Sequence, residues 1–152
     1  MIHYLHREQF VPASAERVWN FFADPKNLNN ITPPDMDFEI RTGGDIPMYE
    51  GQIIEYRVEF LRGIRSLWLT EIAHVREGSY FVDEQRMGPY RFWYHEHLFE
   101  PLDSGVNITD RITYAAPFGP LGDVVNLLWI RRRLSYIFDY RQLKINEIFG
   151  AS

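Results

Sequence analysis

A run of alternating apolar and polar residues fills the middle of the chain and predicts a series of β-strands. From residue 38 onward, apolar positions recur at every second residue, which is the period of a strand with one buried face. Short segments with turn residues, such as Arg62-Gly63 and Gly88-Pro89, interrupt the alternation and have the length of hairpin turns. We therefore expect a meander of antiparallel strands over residues 38–41, 52–61, 64–75, 80–87, 91–101 and 106–114.

The segment before this meander predicts one further strand and two short helices. Residues 2–11 have strand character, and Ser14 follows as a suitable helix N-cap. Asp24-Pro25 ends the first helix, and a second helical stretch reaches about Ile31. The apolar stripe of the first helix consists of Val18, Trp19, Phe21 and Phe22.

A helical period returns after the Pro- and Gly-containing segment 115–120 and continues to Phe149. A helix of that length spans on the order of 40 Å and can cross a whole sheet. Its apolar positions recur at three- and four-residue steps: Leu121, Val124, Leu128, Leu134, Ile137, Phe138, Ile145 and Ile148. The element order predicts an α+β fold in which a curved antiparallel sheet of about seven strands closes around the long C-terminal helix. A curved sheet leaves room inside.

The composition is that of one folded domain over residues 1–152, with enough chain to bury about 70% of its extended surface. The net charge of -5 disfavours a general nucleic-acid binder, which needs a basic face. There is no cysteine, signal-like segment or membrane-spanning apolar run, so we expect a cytoplasmic protein without a transmembrane segment. The aromatic share of 16% indicates either a large core or a lined pocket.

Strand alternation places three polar side chains on the inner face of the predicted sheet and leaves two more, His95 and His97, as candidates for it. Asp110 shares a face with Ile108 and Ile112, and Asp83 and Gln85 share a face with Phe81. The strand at 91–101 is ambiguous, because Trp93, His95, His97 and Phe99 oppose an equally aromatic set. If the first set lies inside, the inner polar residues are Asp83, Gln85, His95, His97 and Asp110.

Four roles for this polar group are open. Buried polar side chains must be hydrogen-bonded, so the group either forms a structural network or orients a ligand in an apolar pocket. General acid-base catalysis needs a histidine beside a carboxylate, for which the candidates are His95, His97, Asp83 and Asp110. A metal site is the weakest alternative, since His95 and His97 alternate without a distinctive ligand spacing, and we expect no metal and no cofactor.

The remaining charged features indicate surface positions. Three consecutive arginines, Arg131 to Arg133, cannot share one helix face, and they fit a solvated surface or contact with an anionic ligand, lipid headgroup or partner protein. The other histidines, His3, His6 and His74, have no partner signal and are expected at the surface or at strand ends.

The element order resembles the helix-grip fold of the START/Bet v 1-like (SRPBCC) superfamily, which includes relatives of polyketide cyclases. Several motifs are similar to one bacterial subgroup, whose members also occur fused to nucleotide-sugar epimerase-like domains. These are Phe81-Val82-Asp83-Glu84-Gln85, Gly88-Pro89-Tyr90, the alternating Trp93, His95, His97 and Phe99, Asp110, residues 117–122, and Phe138-Asp139-Tyr140-Arg141. This chain has no glycine-rich dinucleotide fingerprint and resembles the stand-alone form.

The resemblance implies binding of an apolar or amphipathic small molecule, such as a lipid, an isoprenoid or a polyketide, in a cavity between sheet and helix. Catalysis occurs in a minority of the superfamily, and fold alone does not decide it. The residues expected to bind the ligand are Trp68, Asp83, Gln85, Trp93, His95, His97, Asp110, Tyr114, Phe118, Phe138 and Arg141. We also expect Arg141 to meet an inner carboxylate such as Asp110.

Three functions therefore follow from the sequence. The first is a non-enzymatic binding protein, entered between the loop at 42–50 and the bend at 115–122. The second is an enzyme of cyclase or hydratase type that uses His95 or His97 with Asp83 or Asp110. The third is a protein-interaction module with a collapsed interior and a functional surface near Arg131 to Arg133.

Overall fold

The computed structural model describes residues 1–151, and its largest element is one antiparallel sheet of seven strands. Alternating burial along the strands gives the sheet a buried inner face, as along β6, where every second residue from Trp93 to Phe99 is buried. The strands are β1 (His3–Val11), β2 (Glu39–Thr42), β3 (Ile53–Leu61), β4 (Ile64–Arg76), β5 (Tyr80–Met87), β6 (Phe92–Leu102) and β7 (Gly105–Ala115).

The strand order is β1-β7-β6-β5-β4-β3-β2, and every neighbouring pair is antiparallel. Strands β2 to β7 form the expected meander, and β1 completes the sheet by pairing with β7 along its length, from His3 opposite Tyr114 to Val11 opposite Val106. The predicted α+β, helix-grip architecture is confirmed.

Short helices follow β1, as the sequence predicts. Helix α1 (Ala15–Phe22) begins at Ser14, whose hydroxyl oxygen accepts a hydrogen bond from the Arg17 amide at 3.2 Å. A 3-10 helix follows over Pro25–Ile31, and Asp24 caps it by accepting from the Lys26 amide at 3.0 Å. A further 3-10 turn at Pro34–Met36, beyond the predicted end of the second helical stretch near Ile31, leads into β2.

The C-terminal helix consists of three helical segments: α2 (Gly119–Val125), a π-helical turn (Asn126–Ile130) and α3 (Arg131–Phe149). Within α3 the predicted apolar positions are buried or half-buried against the sheet. The first part of the predicted apolar stripe is wrong as a core prediction, because Leu121, Val124 and Leu128 are 66%, 52% and 63% exposed. One of the two buried positions of the π turn is polar: Asn126 accepts a hydrogen bond from the Tyr114 hydroxyl at 2.9 Å.

The bend between β7 and α2 has a constrained backbone. Phe118 has a φ of 72°, in the left-handed region, which costs a bulky residue roughly 1–2 kcal/mol. Four positions later, a Cβ on Gly122 would clash with the carbonyl oxygen of Pro117. The bend therefore depends on a glycine and holds a phenylalanine in a costly conformation.

Apolar packing between the sheet and the helices has two main centres. One joins α1 to the far end of α3 through residues such as Trp19, Phe99 and Ile145. The other joins the middle of α3 to the sheet through residues such as Trp93 and Phe138. Across residues 1–151, no helix combines the length and the apolar character needed to cross a bilayer.

Candidate functional site

A cavity of about 140 Å³ lies between the curved sheet, the 3-10 segments and α3. Seven of the predicted ligand-binding residues line it: Trp68, Asp83, Trp93, His95, His97, Phe138 and Arg141. Aromatic rings make up much of the wall, and Trp68, Tyr90 and Trp93 contact one another edge-on or tilted, with centroids 4.8 to 5.6 Å apart. The high aromatic content is therefore shared between packing and a cavity wall.

Two histidines and two aspartates from β5, β6 and β7 form a polar cluster on the sheet side of the cavity. His95 Nε2 lies 2.7 Å from Asp110 Oδ1, and His97 Nε2 lies 2.6 Å from Asp83 Oδ2. The second nitrogen of each ring faces the other carboxylate at a longer distance, 3.6 Å for His95 to Asp83 and 3.4 Å for His97 to Asp110. Each carboxylate therefore contacts both imidazoles.

The short bonds in this cluster do not follow the strand register. Asp83 lies directly opposite His95, and His97 lies directly opposite Asp110, yet the short bonds run diagonally. The two imidazoles stack with centroids 3.7 Å apart and 28° between their planes, and Phe81 stacks on the other face of His97 at 4.0 Å. Stacking fixes the ring planes, and the diagonal bonds follow from that orientation.

Burial and charge set the protonation of the cluster. Burial raises the pKa of Asp110 and of Asp83, but the adjacent histidines outweigh it, so that both pKa values lie below the usual 3.8. Burial, together with the neighbouring His95, lowers the pKa of His97 from 6.5 to about 4 against the pull of Asp83. At neutral pH the carboxylates are ionised acceptors and His97 is neutral, so its Nε2–H donates to Asp83.

Arg141 adds a buried cation to this site from α3. Its side chain is 10% exposed, its Nη1 lies 3.9 Å from Asp110 Oδ1, and its guanidinium carbon lies 4.7 Å from the centre of the Phe138 ring. Burial lowers the Arg141 pKa, and Asp110 and Asp83 oppose that shift. Within residues 1–151 the buried Nε of Arg141 finds no hydrogen-bond acceptor. The expected pairing with Asp110 is present, but it leaves donor capacity unused.

Three predicted residues lie behind the cavity wall. Asp110 does not line the main cavity and instead faces a small side cavity of about 20 Å³ that it shares with Arg141. Gln85 holds the turn before β6, because its amide group bonds the Tyr90 backbone nitrogen and oxygen at 3.1 and 2.7 Å. Tyr114 is bonded to Asn126 of the π turn.

The prediction for Phe118 is wrong, because its side chain is 68% exposed and lies outside the cavity lining. The physical reason is the left-handed backbone at this residue, which begins α2 on the solvent side of the bend. Only one of the two segments that were expected to frame the entrance lines the cavity. Met48 of the loop at 42–50 does line the cavity, but no residue of the bend at 115–122 does.

The 3-10 segments supply lining residues that sequence reasoning missed. Leu28, Ile31, Met36 and Phe38 contact the cavity from a stretch too short and irregular for a periodic signal. Six of the eight half-buried lining residues lie between Phe21 and Met48, among them Asn27, Leu28 and Phe38, so the cavity opens on this side. The one sequence signal for these lining residues was the presence of apolar residues between Pro25 and Phe38.

An ion pair joins this stretch to α3 beside the opening. Arg133 Nη1 lies 2.7 Å from Asp35 Oδ2, and the Tyr136 hydroxyl donates to the other oxygen of Asp35 at 3.2 Å. Of the three consecutive arginines, Arg133 makes this contact, while Arg131 and Arg132 are exposed. The expected separation of the three side chains around the helix is observed.

The ring planes of the cluster disfavour a metal ion in the present arrangement. Ligand atoms of Asp83, His95 and His97 lie within 4.8 Å of one another, which is the spacing of a possible site. Imidazole nitrogens bind a metal in the plane of the ring at about 2.0–2.1 Å. The stacked His95 and His97 rings cannot both aim a nitrogen at one point without rotating, so the geometry fits paired hydrogen bonds better.

Solved structures similar to this chain share its whole architecture. A START superfamily protein from Mycobacterium smegmatis has a TM-score of 0.71 at 14% identity, with 96% of this chain and 99% of that chain covered. The Zhui aromatase/cyclase from Streptomyces sp. R1128 has a TM-score of 0.68 at 14% identity, with 97% and 96% covered. A point mutant of norcoclaurine synthase from Thalictrum flavum, in complex with a transition-state analogue, has a TM-score of 0.66 at 17% identity, with 97% and 96% covered.

Sequence comparison alone gives no comparable match. No protein-family model matches the chain, and no curated protein matches it significantly. At identities of 14 to 17% the structural matches establish a fold, while activity and ligand must be argued from this chain's own site. On the evidence of its sheet order, its C-terminal helix and these full-length structural matches, the chain has the START/Bet v 1-like helix-grip fold.

Proposed function

We propose that this chain binds a small amphipathic molecule in the cavity between the sheet and α3. The observation that carries the proposal is a mostly apolar wall, rich in aromatic rings, that meets Asp83, His97 and Arg141 on one side. Ligand pockets are typically apolar, with a few polar groups that fix orientation. Apolar burial supplies affinity, and the polar side sets the direction in which the ligand lies.

The size of the cavity limits the apolar part of the ligand. A volume of about 140 Å³ is close to that of an engineered cavity of about 150 Å³ that admits benzene. One ring or a short branched chain fits the cavity as it stands. A longer lipid, isoprenoid or polyketide would require the Pro25–Phe38 stretch to move away from α3, which the ion pair between Asp35 and Arg133 resists.

The unused donor of Arg141 indicates the chemistry of the polar end. A buried guanidinium N–H without an acceptor costs free energy that a ligand oxygen recovers on binding. Asp83 is 18% exposed and accepts a hydrogen bond from His97, so its carboxylate places a negative charge on this side of the cavity. We infer a ligand whose oxygen acceptor reaches Arg141 while its apolar part lies among Trp68, Tyr90 and Trp93.

The similar structures support a small-molecule role for the fold. One of them is an aromatase/cyclase, and another is a synthase held with a transition-state analogue. The cavity in this chain also counts against the third function drawn from the sequence, an interaction module with a collapsed interior. The expected cytoplasmic location and the resemblance to the stand-alone bacterial subgroup stay predictions.

Titration calorimetry with toluene and 4-methylphenol tests the proposal, because both probes match the cavity in size and differ by one hydroxyl. We expect both to bind, and 4-methylphenol to bind several-fold more tightly because its oxygen reaches Arg141. Arg141→Met should remove the difference between the probes, whereas Arg132→Met, at an exposed position, should not.

A cavity-filling variant provides a second test of the proposed ligand binding. Val58 lines the cavity, so Val58→Phe should abolish binding of both probes, while Val75→Phe, at a half-buried position outside the lining, should leave binding intact. Native mass spectrometry of freshly purified protein then shows whether a molecule is retained from the cell. The proposal fails if neither probe binds the wild-type protein and no molecule is retained, or if Val58→Phe changes nothing.

A second candidate function is catalysis of the cyclase or hydratase type. It is favoured by one observation: a neutral histidine, His97, is bonded to an ionised carboxylate, Asp83, at the cavity wall. If the chain is an enzyme, a molecule retained from the cell will be converted by wild-type protein and not by a folded His97→Gln variant. Equal recovery of unchanged molecule from both proteins would favour binding alone.

A further inference from the structure

The first part of the C-terminal helix exposes an apolar surface unrelated to the cavity. We name this surface the end patch, formed by Phe118, Leu121, Val124, Leu127 and Leu128, which are 68%, 66%, 52%, 66% and 63% exposed. Single exposed apolar residues are ordinary, but five large ones within eleven consecutive residues form the kind of patch that marks an interaction site.

Two local features of the backbone keep the end-patch side chains on the solvent side of the fold. Phe118 is kept in the left-handed backbone region, and Gly119 beside it also has a positive φ of 55°. Asn126 anchors the other side of the same segment through its bond to the buried Tyr114 hydroxyl, leaving Leu127 and Leu128 on the solvent side. A backbone strained at Phe118 and a π turn at Asn126 to Ile130 are features often found at functional sites.

Positive charge borders the end patch, although the whole chain has a net charge of -5. Arg131 and Arg132 are exposed and follow Leu127 and Leu128 by one helical turn. Across residues 111–138 the sequence has four arginines and one acid, Asp123. The Asp123 carboxylate lies 3.2 Å from the Met1 amino group and 3.3 Å from His3 Nε2, so its charge is already offset.

This combination distinguishes between two kinds of occupant. A second copy of the chain placed on the patch would offer Arg131 and Arg132 no free carboxylate from the same surface, because Asp123, the one acid in residues 111–138, is already paired. An anionic surface with an apolar layer beneath it would instead match both features, since apolar side chains enter the interface and arginines meet the headgroups. The charge pattern favours the anionic surface.

We propose that the end patch docks on an anionic lipid bilayer, with Leu121, Val124 and Leu128 in the interface and Arg131 and Arg132 against the headgroups. The docked segment lies on the bilayer and does not span it. The proposal is independent of the ligand proposed for the cavity, because no end-patch residue lines that cavity.

Vesicle flotation tests this surface with full-length protein. We expect the chain to float with vesicles of phosphatidylcholine and phosphatidylserine in about a two-to-one ratio, and much less with phosphatidylcholine alone, with binding weakened by added salt. The double variants L121S/L128S and R131E/R132E should each lose at least about tenfold in vesicle affinity.

Matched controls use residues of the same type away from the patch. Leu143→Ser changes a leucine that is 63% exposed further along α3. Arg76→Glu reverses the charge of an exposed arginine at the C-terminal end of β4. Both should bind vesicles as the wild-type protein does, and circular dichroism should show all variants folded, since the altered side chains are exposed.

Four results would overturn the proposal. Three of them are no flotation of the wild-type protein, equal flotation with neutral and anionic vesicles, and unchanged flotation of both double variants. A fourth is a dimer in sedimentation velocity that L121S/L128S abolishes, without lipid binding by the wild-type protein. That result would assign the end patch to a second copy of the chain.

Discussion

His97 and Asp83 are bonded at 2.6 Å across a diagonal of the sheet, although Asp83 lies directly opposite His95. The crossed arrangement uses each carboxylate for both imidazoles and leaves the four groups mutually paired. Such pairing is what a structural network requires, and it does not exclude contact with a ligand at the exposed edge of Asp83.

Removing the inner carboxylate should destabilise the chain strongly. Asp110→Asn takes the negative charge from between His95 and Arg141, both of which stay buried. We expect a loss of about 3–5 kcal/mol in the free energy of unfolding, measured by urea denaturation at pH 7. The control Asp103→Asn, in the exposed turn after β6, should cost less than about 0.5 kcal/mol. A loss below about 1 kcal/mol for Asp110→Asn would show that the cluster is not a structural network.

Acid should destabilise the fold in two stages. The unfolded chain takes up a proton on His97 near pH 6.5, whereas the folded chain does so near pH 4, so stability falls as pH drops through this window. A pKa difference of this size corresponds to roughly 3 kcal/mol. Below pH 3.8 the unfolded chain also protonates Asp83 and Asp110 before the folded chain does, and stability falls further.

Urea unfolding from pH 7 to pH 3 measures this profile, and His97→Gln is the matched variant. The variant should lose the slope between pH 6.5 and 4 and retain the steeper loss at lower pH. An identical slope in both proteins would show that another group titrates in this window.

Loosening the ion pair beside the cavity opening should increase local motion without unfolding the chain. Asp35→Asn weakens the contact to Arg133, and we expect the Met36 and Asp37 amides, bonded to Pro33 and Pro34, to exchange hydrogen several-fold faster. The free energy of unfolding should change by less than about 1 kcal/mol, because the pair is partly solvated. Asp45→Asn in the exposed loop serves as control, and unchanged exchange in Asp35→Asn would mean that the pair does not hold this turn.

The bend before α2 should not accept a side chain at Gly122. Gly122→Ala places a Cβ against the Pro117 carbonyl oxygen and should cost about 3 kcal/mol. Gly119→Ala, in the same bend, has open space around it and should cost about 1–2 kcal/mol for its positive φ. Thermal denaturation compares the two variants, and equal melting temperatures would contradict the predicted clash.

Strand alternation made most of the sheet predictable. Period-two patterns and turn residues located all seven strands to within about one residue of their observed ends, and the inward direction of Asp110 followed from face assignment, whereas alternation left both faces open for His95 and His97. Alternation gives the side of the sheet on which a residue lies but not its partner. The diagonal bonds of His95 and His97 depend on ring stacking, which no spacing rule encodes.

The helical pattern was less informative, because it shows which side chains share one face of the helix but not whether that face packs on the sheet or is exposed to solvent. Leu121, Val124 and Leu128 have the spacing of a core stripe, yet α2 extends beyond the part of the helix that packs on the sheet. Lining residues such as Met36 and Phe38 lie in short 3-10 or extended pieces with no period at all. Both failures arise from tertiary placement.

The π turn at Asn126–Ile130 also sets the angular relation between the two parts of the C-terminal helix. A π turn holds about one residue more than an α-helical turn, so rewinding Asn126–Ile130 as regular α-helix would turn α2 relative to α3 by nearly the rotation of one residue, roughly 100°. The apolar face of α2 would then swing away from the direction that it now shares with Arg131 and Arg132. One inserted residue thus acts as a rotational offset, through which a single continuous helix can present one side to the interior and another side to the surroundings.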